Sequence, residues 1–147
     1  LKLTVRSYYS IKALLDLSLQ PKLGVTSVTA IARRQDLPAP YLEKLLIDLR
    51  RAGLVKSIRG AQGGYKLARS AATISLKDIF TAVGEVMEFP LPIESTGTIA
   101  ADWVARSVSQ RLQEKMQTAL AGISLADLYY DARSWQAAQG ESQNFVI

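Results

Sequence analysis

Residues 41–68 read YLEKLLIDLRRAGLVKSIRGAQGGYKLA, and the fold turns on this run. Leu42, Leu45, Leu46 and Leu49 stand at the i, i+3, i+4, i+7 spacing of one helical face and predict its buried stripe. At about 100° per residue, Pro40, Glu43, Lys44, Ile47 and Arg51 fall on the opposite side. Gly53 stops the helix, because glycine readily takes the left-handed conformation that closes a helix end. LVKSI and YKLA then read as two short strands around the basic, glycine-rich turn RGAQGG. An amphipathic helix followed by such a hairpin is what a winged helix uses to hold DNA. The helix enters the major groove and the tip reaches a neighbouring groove.

Upstream, a first helix is expected from Thr4 to Leu19, with Tyr8, Ile11, Leu14, Leu15 and Leu19 on related faces. Pro21 and Gly24 end it. Thr26 or Ser27 caps a second helix that runs through Arg34, with Val28, Ile31 and Ala32 inward. Asp36 and Leu37 make the turn into the third helix. Pro38 and Pro40 stand at its start, where the backbone N–H groups lack helical partners in any case.

Downstream, a fourth helix is expected over Ser75–Val83. The segment EVMEFPLPIESTGT, 85–98, has two prolines and no helical period; it reads as a linker or an effector loop. A long helix follows from Ile99 to Leu120, with Val104, Val108, Leu112, Met116 and Leu120 recurring every four residues. Gly122 breaks it and Ser124 caps a last helix, LADLYYDARSWQAAQ; the tail after Gly140 is expected to fray or to pack on a partner. The fold class is therefore mainly α with a small β-hairpin. Residues 1–84 form a winged helix-turn-helix domain, 85–98 the connection, and 99–147 a dimerisation helix with a C-terminal helix. A long stripe on a small domain has few places to hide within one subunit. Pairing with a second copy buries it and sets two recognition helices roughly 34 Å apart, one turn of DNA.

Charge supports that division. The net charge is +5 over 147 residues, but residues up to 72 hold thirteen Lys and Arg against four acids, a net +9. The remainder holds five against nine, a net −4. The field that attracts a polyanion belongs to the first half. With 48% hydrophobic residues, a packed core is available. The chain has no cysteine and no histidine, which excludes disulfides, thiolate nucleophiles and zinc sites built on either residue. It also removes the commonest general base. No GxxxxGK phosphate loop is present, and RGAQGG leads from strand to strand rather than into a helix, so an enzyme is not expected. No run approaches the roughly 18 apolar residues of a membrane span, and no export signal stands out. A cytoplasmic protein, with no part in a membrane, is the expectation.

The opening LKLTVRSYYSIKALLDL, the stretch AIARRQDLPAPYLEKLLIDLRRAGLVKSIRGAQGGYKLA and the late ISLADLYY together resemble the Rrf-two family of bacterial winged-helix regulators. That family includes the iron–sulfur cluster regulator, the cysteine-metabolism repressor and nitric-oxide-sensing repressors. The resemblance spans residues 1 to about 130 and is most specific in the helix–wing run. It implies a homodimeric transcription factor whose long helix crosses between subunits. It places Ser27, Tyr41, Glu43 and Lys44 at DNA-contact positions of the helix-turn-helix, and Arg59 on the wing arginine that reaches the minor groove. Chemistry agrees: Lys44 donates to guanine edges or phosphate, Glu43 accepts from a cytosine amino group, and Arg59 suits a narrow electronegative groove that Gly60 lets the backbone approach. Pro40 and Arg51 complete the expected DNA-facing set.

Two departures from the family pattern stand out. Members with a two-iron, two-sulfur cluster hold it on three cysteines just before and at the start of the long helix. Here that stretch is EFPLPIESTGTIAADW. Glu88, Glu94 and Asp102 are hard donors that match such a cluster poorly, so no cofactor and no metal are expected. Pro38 and Pro40 also stand where several members carry hydroxyl residues, and proline offers no side-chain donor for a phosphate or base. The expected function is a homodimeric, sequence-specific DNA-binding transcription regulator, a repressor, reading a pseudo-palindromic operator. Its effector, if it has one, is not named by the sequence. The alternative is a winged-helix protein-interaction module. Plainer readings stand beside single residues: Tyr41 as a staple at the helix start, Trp103 and Trp135 as packing anchors, 85–98 as a mere connection.

Overall fold

The first two helices each begin on a hydroxyl residue that satisfies a free N–H group. In the computed structural model, which describes residues 3–21, 24–89 and 99–145 (side chains through 140), Thr4 caps helix α1, Val5–Leu19, by accepting from the Ser7 N–H. Ser27 caps α2, Val28–Gln35, accepting from Ala30 at 3.1 Å. Thr26 is therefore not the cap, and its backbone serves the wing instead. Asp36 closes α2 with φ 54°, a left-handed conformation that Asp tolerates, and Leu37 turns into the core. Helix α3, Ala39–Arg51, starts on Pro38 without a side-chain cap.

The end of α3 is a Schellman closure. Gly53 at φ 77° donates to Arg50 O at 2.9 Å, and Leu54 donates to Leu49 O at 3.0 Å. Leu54 and Leu49 are both buried, so the closure also aims the chain into strand β1, Val55–Ile58. Strand β2, Gly64–Leu67, pairs antiparallel with it, Val55 opposite Leu67 and Ile58 opposite Gly64. A single 3₁₀ turn, Ala71–Thr73, leads to α4, Leu76–Ala82, which opens on a reciprocal capping box between Ser75 and Asp78.

The long helix α5 spans Ala100–Ala121 and the last helix α6 spans Leu125–Phe145. A short antiparallel bridge joins the starts of α4 and α6: Leu76 donates to Ile123 O at 2.9 Å and Leu125 to Ile74 O at 2.7 Å. This inserts Leu125 into the same core as Leu14, Ile31, the α3 leucines, Ile74 and Ile79.

Two expectations are corrected. The buried side of α1 is Ser7, Ser10, Ala13, Leu14, Asp16 and Leu17, while Tyr8 stands largely exposed. Small residues there let neighbouring backbones approach closely, and the Ser10 hydroxyl is satisfied by donating to Arg6 O. Helix α6 also does not end near Gly140 but carries its backbone through to Phe145. Of the segment read as an effector loop, 90–98 with Glu94 lie outside the described residues, as do 146–147 of the tail.

Candidate nucleic-acid interface

The wing is fastened to the first residues of the helix-turn-helix. Thr26 and Tyr65 exchange both backbone hydrogen bonds, Thr26 N to Tyr65 O at 2.9 Å and Tyr65 N to Thr26 O at 2.8 Å. Gly64 makes this approach feasible, since a Cβ there would lie 2.2 Å from Thr26 O. At the tip, Gly60 adopts φ 123° and its carbonyl accepts from Gly63 N at 2.9 Å, turning the chain tightly. Arg59, Gly60, Ala61 and Gln62 are left exposed. The fastening sets the wing beside Ser27.

Ser27 is exposed, and its oxygen is used as a cap acceptor; its hydroxyl hydrogen is not consumed by that bond. On α3, Pro40, Tyr41, Glu43, Lys44, Arg50 and Arg51 are all exposed and Ile47 is half-buried. Arg51 pairs only loosely with Asp48, at 3.9 Å between solvent-exposed groups, an interaction worth little in water. Tyr41 packs edge-on against Tyr9 of α1, ring centroids 5.7 Å apart at 85°. That contact accounts for Tyr41 as a staple at the start of α3, while the residue stays 38% exposed.

What orients α2 was not foreseen from sequence. Asp16, 2% exposed in α1, accepts two hydrogen bonds from Arg34, Nε at 2.9 Å and a terminal nitrogen at 2.7 Å, and a third from Gln35 at 3.0 Å. The hydrogen bond to Asp16, with its charge, raises the Arg34 pKa above its ordinary value. The bidentate geometry fixes the end of α2, and with it the turn into α3. The one signal for it was a lone acid inside the apolar run IKALLDLSL.

On α5, Val104, Val108 and Leu112 are exposed, whereas Met116 and Leu120 are half-buried and line a cleft against α4. The described residues hold no cluster of three acidic, cysteine or histidine side chains able to take a metal ion. In and beside the stretch that leads into α5 the described acids are Glu88 and Asp102; Glu85, which lies near the other end of α5, already accepts from the Thr4 hydroxyl. Such a donor set does not fit an iron–sulfur cluster, whose irons take thiolate or imidazole.

A capped three-helix unit with its wing bonded to the helix-turn-helix, followed by a long helix, defines the winged helix-turn-helix transcriptional regulators as a class. The family profile described as Rrf2, iron-dependent transcriptional regulator, matches residues 3–131. A protein of Synechocystis sp. with a provisional helix-turn-helix-type transcriptional regulator name is 57% identical over 148 residues, covering 100% of both chains. Among solved structures, IscR of T. potens aligns with a TM-score of 0.74 at 38% identity, over 92% of this chain and 91% of that one. CymR, the global cysteine regulator of B. subtilis, aligns with a TM-score of 0.74 at 32% identity, over 88% and 97%. The chain belongs to the Rrf2 family of transcriptional regulators. No helix among the described residues is long and apolar enough to cross a membrane.

Proposed function

We propose that this protein is a homodimeric, sequence-specific DNA-binding regulator in which α3 reads the major groove and the wing enters the adjacent minor groove. The observation that carries this reading is the fastening of the wing to Thr26. It supports a single DNA-facing surface made of the outer side of α3, the Ser27 cap and Arg59, in the half of the chain with net charge +9. Glu43 and Lys44 are the base-reading candidates, Ser27, Tyr41 and Arg51 the backbone-positioning ones, and Arg59 with Gly60 the minor-groove element.

The exposed Val104, Val108 and Leu112 support pairing through α5 with a second copy, which makes the operator pseudo-palindromic. A repressor follows from the family resemblance and works by occupying the promoter. Its signal does not pass through a cluster held on Cys or His.

A salt series of duplex binding tests the reading. With about five to eight phosphates neutralised per dimer, log affinity should fall with log salt at a slope of about −5 to −7. A flat response, or no duplex binding, would instead favour a winged-helix module that binds protein.

A further inference from the structure

The chain contains two methionines and no cysteine, so its sulfur chemistry rests on two thioethers. Both line the same cleft, of about 330 Å³, between the DNA-binding domain and the long helix. Met87 belongs to the segment after α4, Met116 to α5, and each is half-buried. Leu76, Phe80 and Leu120 supply apolar walls and Glu85 a carboxylate.

The same place is where α5 grips the segment after α4. The Gln113 side chain donates to the Met87 carbonyl and accepts from the Phe89 N–H at 3.1 Å, while Ser109 donates its hydroxyl to the Phe89 carbonyl. Gln113 therefore acts as one rung of a ladder. Met116 lies three residues on, on the same helical side, and Met87 supplies one acceptor of the clasp.

We propose that Met87 and Met116 form an oxidation site for hydroperoxides, and that their conversion to sulfoxides releases α5 from the DNA-binding domain. In the step, a sulfur lone pair attacks the terminal peroxide oxygen and the O–O bond breaks. Oxygen stays on sulfur, which is oxidised by two electrons, its proton passes to the departing oxygen, and the peroxide leaves reduced as an alcohol or water. The new S–O group is a strong acceptor placed among leucines and a phenylalanine. The nearby Glu85 carboxylate repels it; the Thr4 hydroxyl is already committed to Glu85, and the Ser7 hydroxyl, which also lines the cleft, to Thr4 at 3.3 Å. The sulfoxides satisfy themselves by turning to water, which opens the cleft and strips the clasp of its apolar support. Methionine sulfoxide reductases reverse the change.

The effect on DNA rests on the function proposed above; the effect on the clasp does not. The test treats the full chain with tert-butyl hydroperoxide and follows oxygen uptake at each methionine by peptide mass spectrometry. Hydrogen exchange at 87–89 and 109–120 and duplex affinity are read on the same samples. Exchange in both segments should accelerate, and affinity should fall about tenfold, as expected for an apolar site made to hold an unpaired polar group. In the double variant Met87→Leu, Met116→Leu, treated and untreated protein should give the same exchange and affinity. Met116→Gln, which carries a polar group without oxidant, should accelerate exchange by itself. Unchanged exchange with both sulfoxides formed overturns the proposal. So does a chain in which one methionine oxidises and the other resists, or a double Leu variant that responds like the wild type. If the untreated chain binds no duplex, the DNA reading fails while exchange still decides the oxidation site.

Discussion

Helices α3 and α5 carry the same kind of apolar repeat and meet opposite fates. Leu42, Leu45, Leu46 and Leu49 of α3 are at most 2% exposed, locked among α1, α2 and α4. Val104, Val108 and Leu112 of α5 are 51%, 40% and 46% exposed, and α5 has no fully buried residue. Periodicity announces that a helix has an apolar side; it does not say which surface covers it. Helix α3 finds its cover in short-range partners on the same chain. Helix α5 reaches its own domain mainly through its second half, at Gln113, Met116 and Leu120, and leaves Val104 and Val108 exposed, the surface that the proposed function pairs with a second copy.

The sharpest way to break this comparison is to truncate one leucine from each helix. Leu46→Ala should destabilise the chain by about 2–5 kcal/mol, because it opens a cavity in packed core. Leu112→Ala should cost within about 0.5 kcal/mol in a dilute sample, as for a surface residue. Urea denaturation checks both, and equal losses would mean that α5 is packed at home after all. Leu112→Asp tests the cover itself: sedimentation should shift towards monomer and operator binding should weaken with it.

A smaller effect separates the foundations of the DNA-reading side from its surface. Arg34→Ala leaves the Asp16 carboxylate buried with only Gln35 as donor. The loss should be about 2–3 kcal/mol, below that of a fully buried pair because the arginine is 42% exposed. Arg59→Ala touches only the tip and should leave urea denaturation unchanged, while weakening operator binding by about 1–3 kcal/mol in gel-shift titration. Undiminished binding would remove Arg59 from the interface.

The smallest expected effect concerns the joint between the two regions. The Ser75 backbone N–H, with smaller help from the Ser75 hydroxyl and Arg69, holds the Asp78 carboxyl below its ordinary value of 3.8. A lowered folded pKa means that the cap contributes fully above the ordinary value and loses its contribution as pH falls through the folded one. Asp78→Asn should cost about 0.5–1 kcal/mol near neutral pH. The gap between variant and wild type should narrow as urea titrations move down to about pH 3.

The helix–wing run was legible because its signals are local. A leucine stripe, a closing glycine and a glycine-rich basic turn each act within a few residues. The DNA-contact roles of Ser27, Glu43, Lys44 and Arg59 came instead from the family resemblance; the structure leaves these residues and Arg51 exposed, and their contacts await the binding tests above. The face of α1 was misread because burial there follows how closely α2, α3 and α6 approach, which favours Ser7, Ser10 and Ala13 over the large Tyr8. The Asp16–Arg34–Gln35 network joins residues 18 and 19 positions apart, beyond any helical period.

By itself, then, the sequence determined where helices and strands begin and end in the first half, where positive charge gathers, and that no thiolate or imidazole is available to a metal. Those properties depend on neighbours along the chain or on composition alone. Tertiary structure decided that Thr26 serves the wing, that Leu125 returns to the core, that Asp16 anchors α2 and that both methionines meet in one cleft. Each of these depends on backbone approach between segments distant in sequence, which packing sets and a linear pattern does not record.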